Sequence, residues 1–222
     1  MIAVSSIETT PSPWHSGERA FHDRLGVAKR MDRVGRRIIR DYMPDQHRLF
    51  FGQLPFVVIG SVDSKGAVWA TLLDGVPGFV HSPEPRTLRI ETHPTLADPA
   101  IYGLGTGTAV GLLGIEMHTR RRNRMNGRIT QVDEIGFDVV VDQSFGNCPQ
   151  YIHSRQCSFH QDLGPRNDTI SRRGTSLGEF ERNLIRGADT FFVASYVDID
   201  GDPNRRSVDV SHRGGKPGFV RA

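Results

Sequence analysis

The densest chemistry in this sequence is a run of guanidinium groups, Arg120-Arg121-Arg122-Asn123-Arg124-Met125-Asn126-Gly127-Arg128. In an extended chain Arg120, Arg122 and Arg124 project to one face and Arg121 to the other, because side chains alternate along a strand. The planar fork of arginine donates two parallel hydrogen bonds, a geometry suited to phosphate. A solvated outer face is the competing explanation for any single arginine, whereas the cluster as a whole favours a ligand. Nucleic acid is set aside as a partner, since no aromatic residues interleave with the cations to stack on bases.

Other residues offer weaker chemistry. Asn147 and Gln150, with Pro149 fixing the backbone between them, carry amide donors and acceptors suited to the polar edge of a ring, against the alternative of a structural turn. Trp69 supplies aromatic area at a strand position, although a lone strand tryptophan is more often core. Ser211, His212 and Arg213 place a nucleophile and a base side by side, but alternation sends strand neighbours to opposite faces, so anion contact by Ser211 or Arg213 is preferred to hydrolysis. Cys148 and Cys157 lack zinc or C-x-x-C spacing and are read as ordinary thiols; a metal site with His153 and His160 is set aside for the same reason. Gly103-Leu104-Gly105-Thr106-Gly107 precedes a strand where a dinucleotide-binding loop would open a helix, so it is read as a turn.

These groups need a scaffold, and the periodicity describes one. Met31, Val34, Ile38 and Ile39 recur at helical spacing, with arginines on the other faces, in a helix ending before Pro44; a second short helix is expected over 47–52. The period then becomes extended. Segments 55–62, 67–73 and 79–81 read as a three-strand antiparallel meander, followed by strands over 86–90, 108–117, 120–132 and 137–143, with a short helix near 96–102. Six or so antiparallel strands without a βαβ repeat favour a closed or nearly closed barrel, which removes sheet edges. Beyond Asn147 the chain turns polar, and Leu177, Phe180, Leu184 and Ile185 mark one more helix, with Ser176 and Glu179 at capping-box spacing.

An internal repeat follows. Gly52, Phe56, Val58, Val62, Asp63 and Gly66 reappear at a constant offset as Gly187, Phe191, Val193, Val197, Asp198 and Gly201, and Pro77-Gly78-Phe79-Val80 returns as Pro217-Gly218-Phe219-Val220. A second barrel begun this late pairs with the first, with another subunit, or with further chain of a longer protein, and the last is favoured. The net charge of +3 is too small to argue for a polyanionic partner. No apolar run approaches the roughly 20 residues of a spanning helix, and nothing at the start resembles a secretory signal. The expectation is a cytoplasmic protein off the membrane.

The order of strand, Asp-x-x-Gly turn, strand, Pro-Gly-Phe-Val, long strand and arginine-rich strand resembles the FMN-binding split barrel of the pyridoxamine 5′-phosphate oxidase-like superfamily over residues 50–143. Ser144-Phe145-Gly146-Asn147-Cys148-Pro149-Gln150-Tyr151-Ile152 and Asp209-Val210-Ser211-His212-Arg213-Gly214-Gly215 resemble a flavin-nucleotide-binding subgroup of it. The resemblance implies a mainly β fold, an antiparallel, Greek-key-like β-barrel with flanking helices. It also implies FMN at a homodimer interface, an oxidoreductase, and a small-molecule substrate or electron donor. Carried over by position, the cofactor is held by Trp69, Ala70, Thr71 and Leu72, then Ser82, then Arg89, then Arg122, with Arg124, Asn147, Gln150, Ser211 and Arg213 beside them. No catalytic acid or base is named. The oxidase has an arginine and a lysine near the places of Trp69 and Asp74, so vitamin B6 oxidation is not expected here. A deazaflavin or haem is the alternative planar ligand, and a non-catalytic flavin module or a cofactor-free dimerisation domain the alternative role. The domains expected are an arm over 1–15, a split barrel with N-terminal helices over 16–152, a linker loop over 153–175, and a helix plus incomplete second barrel over 176–222.

Overall fold

In the computed structural model, residues 12–92, 98–158 and 174–221 are described. The chain divides into two compact units, Met1–Arg40 and Asp41–Ala222. Most of the expected arm, much of the linker loop and the start of the expected short helix near 96–102 lie outside the described residues. Within that helix the described residues 99–103 form a turn.

The first unit is a helical pair, α1 (Ser16–Arg24) and α2 (Ala28–Ile38). His15 caps α1: its Nδ1 accepts from the Gly17 and Glu18 amides while the Glu18 carboxylate accepts from the His15 amide, a capping box built on an imidazole. Trp14 donates its indole N–H to the Met31 carbonyl at 3.0 Å and lies flat on Gly35, where a Cβ would come within 2.6 Å of the ring.

The second unit opens with α3 (Asp45–Gly52) and a seven-stranded antiparallel sheet: β1 (Phe56–Val62), β2 (Val68–Asp74), β3 (Val80–His81), β4 (Thr87–Glu91), β5 (Ala109–Glu116), β6 (Arg121–Asp133) and β7 (Gly136–Gly146). Their order across the sheet is β2-β1-β5-β6-β7-β4-β3. The fold is mainly β with flanking helices, as expected. One core joins strands from end to end of that order, from Val57, Ile59 and Leu73 through Leu112 and Met125 to Leu88 and Ile90, so the sheet curls round a common interior that Phe50 and Phe51 of α3 also enter. Its edges, β2 and β3, do not pair with each other, so the curl is not closed by hydrogen bonds. The expected three-strand meander is corrected here: β1 and β2 form the hairpin, but β3 pairs with β4 at the far edge. A strand of two residues has too little pairing of its own to fix its neighbour, and the five-residue connection over 75–79 reaches β4 because the curl of the sheet brings its two edges near each other.

After α4 (Glu179–Gly187) the repeat builds a separate hairpin, β8 (Thr190–Asp198) and β9 (Arg206–Gly214). It lies over the outer face of the sheet, with β9 touching β1, β5 and β6 and β8 touching β1 and β2. Contact is close because Gly60 and Gly111, cross-strand partners in β1 and β5, leave the sheet bare there. A Cβ on Gly60 would meet Val210 at 2.6 Å, and one on Gly111 would meet the Val208 carbonyl oxygen at 2.6 Å. Val58, Leu113 and Val210 seal this contact with Phe192 and Ala194. Burial of both faces explains why β1 reads as a continuous apolar run. Among the described residues no helix is long and apolar enough to cross a membrane.

Candidate anion site

Strand β6 presents its cations as the alternation requires. Arg121 points one way, its guanidinium 5.0 Å from the centre of the Phe50 ring. Arg122 and Arg124 point the other way and meet β9. Arg124 gives Nη1 to the Asp209 carboxylate at 2.7 Å and Nη2 to the Ser211 hydroxyl at 2.8 Å. Arg122 gives Nη1 to Nδ1 of His212 at 3.1 Å. Farther along, Arg128 donates to the Arg206 carbonyl at 2.7 Å, so the row from 122 to 128 is laced to the length of β9.

The charges at this seam do not balance. Asp209 faces Arg124, but among the described residues Arg122 has no carboxylate within ion-pairing distance, and Arg213 adds a third positive field on both arginines. Burial, then the neighbouring Arg124, pushes the Arg122 pKa down. Burial likewise pushes the Asp209 carboxyl up, with Arg124 opposing it. His212 is 3% exposed, and burial followed by the Arg122 charge lowers its pKa to about 4, so it is neutral at pH 7. Arginine only donates, so His212 Nδ1 must accept and its proton sits on Nε2. That N–H is buried without an acceptor among the described residues, as are Nε of Arg122 and Nε of Arg124; the side-chain oxygens of Asn126 and Asn147 are likewise unsatisfied. Buried polar atoms without partners are uncommon enough to require a cause. Three orphaned donors and two orphaned acceptors thus surround a guanidinium with no carboxylate opposite it.

The twelve residues expected to hold a cofactor fall into separate groups. Arg122, Arg124, Ser211 and Arg213 come together, and the backbone of Asn147 joins them by donating its N–H to the Arg122 carbonyl at 3.1 Å. Gln150 is exposed in the turn beyond Asn147. Trp69, Ala70, Thr71 and Leu72 lie on β2. There the Trp69 indole donates to Asp63 at 2.9 Å, the Thr71 hydroxyl to Asp98 at 2.5 Å, and Ala70 and Leu72 are exposed. Ser82 follows β3, accepts from Arg48 Nε at 3.1 Å and donates to the Glu84 carbonyl. Arg89 is buried in an ion pair with Asp133 at 2.7 Å and a longer one with Asp138, and the Asp133 hydrogen bond raises its pKa. It pairs beside Asp138 on β7, whose own partner on β6 is Gln131, nine positions from Arg122. At about 3.3 Å per residue that is roughly 30 Å along the strand. Within one chain Arg89 and Arg122 therefore do not share a phosphate.

Asp209, His212 and Asn126 were not among the expected site residues. Asp209 and His212 flank Ser211 in sequence; strand alternation, which argues against a Ser-His pair, gives no sign that the imidazole accepts from Arg122. Cys148 and Cys157 are exposed thiols, and His160 lies outside the described residues. A cleft of about 770 Å³ lies elsewhere, among Ser61–Lys65, Tyr102–Leu104, Gly107–Ala109, Arg128, Pro203, Asn204 and Arg206; none of the twelve residues lines it. The Gly103–Gly107 segment is a turn in its wall, as its position before β5 implied.

No family model and no curated protein matches the sequence. Among solved structures, the chain is similar to HupZ of Group A Streptococcus at 10% identity and TM-score 0.37, over 47% of this chain and 93% of that one. A variant of the same protein aligns at 10% identity and TM-score 0.38, over 47% and 99%. An F420 reductase aligns at 9% identity and TM-score 0.30, over 48% and 97%.

Proposed function

We propose that this chain binds FMN non-covalently, in an assembly of two protomers, and cycles it as an oxidoreductase acting on a small-molecule substrate or electron donor. The observation that carries this reading is the half-buried guanidinium of Arg122, which has no carboxylate opposite it and lies beside donors that have nothing to donate to. A phosphate dianion beside Arg122 would balance the charge and accept from its guanidinium, with Arg213 adding a second positive field there. The amides of Asn147 and Gln150 would lie toward the polar edge of the ring. The flavin, when bound, supplies the redox chemistry; the protein holds the phosphate, orients the ring and excludes water around it. Arg89 and Ser82, engaged with Asp133 and Arg48, are placed in this reading as supports of the far edge of the sheet.

Mass spectrometry of the small molecule released from native protein is the direct test, with FMN expected. A deazaflavin or haem in its place would redirect the reading, and a colourless preparation that ignores added FMN would end it. Arg122→Ala should weaken FMN binding by about ten- to a hundredfold, the usual cost of a charge-assisted contact. Anaerobic reduction by NADH or NADPH, with reoxidation by oxygen, separates turnover from simple cofactor carriage.

A further inference from the structure

The repeat and the strand registers together show which part of the second copy meets the arginines. Phe56, Val58 and Val62 of β1 recur as Phe191, Val193 and Val197 of β8. In the first hairpin these residues pair with Asp74, Leu72 and Val68; in the second they pair with Arg213, Ser211 and Ser207. Gly60 pairs with Ala70 as Ser195 pairs with Asp209. Strand β9 is thus the second copy of β2 in unbroken register, with Asp209, Ser211 and Arg213 at the places of Ala70, Leu72 and Asp74.

The two copies differ in chemistry. Ala70 and Leu72 have no side-chain hydrogen-bonding atom, so a β2 laid over β6 would leave Arg124 facing carbon where it now bonds Asp209 and Ser211, a costly arrangement for a charge. Strand β9 instead offers a carboxylate at Asp209, a hydroxyl at Ser211, an imidazole acceptor at His212 and a guanidinium at Arg213, and three of these already bond Arg122 or Arg124. The face carrying Phe192, Ala194 and Val210 stands at the register places of Val57, Ile59 and Thr71. In the first copy Val57 and Ile59 point into the core; in the second, Val210 is buried, and Phe192 and Ala194 are partly buried, against Val58 and Leu113 of the first sheet.

We infer that the anion site is completed in cis: β9 supplies its second wall, with Ser211 and Arg213 as the residues that set its specificity. The phosphate end of the ligand then needs one chain only, and a second protomer adds nothing at Arg122. This rests on the anion-site reading above for its ligand but not for its packing, and two measurements keep the two apart.

The packing is tested in a Cys148→Ser, Cys157→Ser background carrying Gly60→Cys with Val210→Cys. Oxidation should yield a cross-link within one chain, seen as monomer mass less two hydrogens; disulfide-linked dimers, or no cross-link, would overturn completion in cis. The ligand is tested by FMN titration of the full chain. One FMN per chain is expected, weakened about tenfold by Arg213→Ala and unchanged by Asp74→Ala at the equivalent place in β2. Loss of FMN binding with Asp74→Ala and not with Arg213→Ala would refute the assignment. An intramolecular cross-link in a chain that takes up no FMN would remove the flavin and leave the packing standing.

Discussion

Between pH 7 and pH 4 the imidazole of His212 should report on folding. Its pKa falls from an ordinary 6.5 to about 4 in the folded chain, through burial first and then the Arg122 charge, with His153, Arg213 and Arg155 adding to it. In that window the unfolded chain binds a proton that the folded chain refuses, so stability is full above the unfolded value and declines as the pH drops below it. The loss reaches at most about 3 kcal/mol. Urea unfolding at several pH values should show this slope in the parent and a flatter one in His212→Gln; equal slopes would mean that another group titrates there. At the same scale the sequence was half legible. Alternation alone placed Arg122 and Arg124 on one face opposite Arg121. It could not place Arg89, whose partners Asp133 and Asp138 arrive from a hairpin more than forty residues away, so a locked structural ion pair and a free phosphate ligand look the same in one dimension.

At the level of elements, glycines serve two ends. Gly111 is needed because the β9 backbone crosses directly over it: an added Cβ would meet the Val208 carbonyl oxygen at 2.6 Å and the Asp209 Cα at 2.8 Å. Gly66 is needed for its conformation, with φ at +81° in a turn where an added Cβ meets nothing. Gly111→Val should therefore destabilise the chain by about 1–3 kcal/mol through overpacking and abolish the Gly60→Cys to Val210→Cys cross-link. Gly66→Ala should cost about 1 kcal/mol and leave that cross-link intact. Chemical denaturation with mass analysis distinguishes the two. The strands themselves were legible because β-branched runs alternate with Asp-Gly and Pro-Gly turns; each of β1, β2, β4, β5, β6 and β7 lies within a few residues of its expected span. Pairing was legible only where a tight turn joins neighbours. The position of β3 depends on contacts with β4, and that of β9 on a bare patch of two glycines, Gly60 and Gly111, fifty residues apart in the chain; neither leaves a local trace.

For the molecule as a whole, the repeat resolves into an unequal pair: one copy encloses a core, and the other, with too few strands to do so, spends its apolar face on the outside of the first. That arrangement covers β1, β5 and β6 and, through β8, reaches β2. It leaves β2 as an edge of the seven-stranded sheet, with Val68 and Leu72 respectively 40% and 48% exposed. A strand edge with open amide and carbonyl groups beside aliphatic side chains is a template for stacking with like molecules. The colloidal behaviour of the protein should follow from it: turbidity on warming or concentration should begin at β2, and Val68→Lys, which sets a charge in that row, should delay it without altering the melting temperature measured at high dilution.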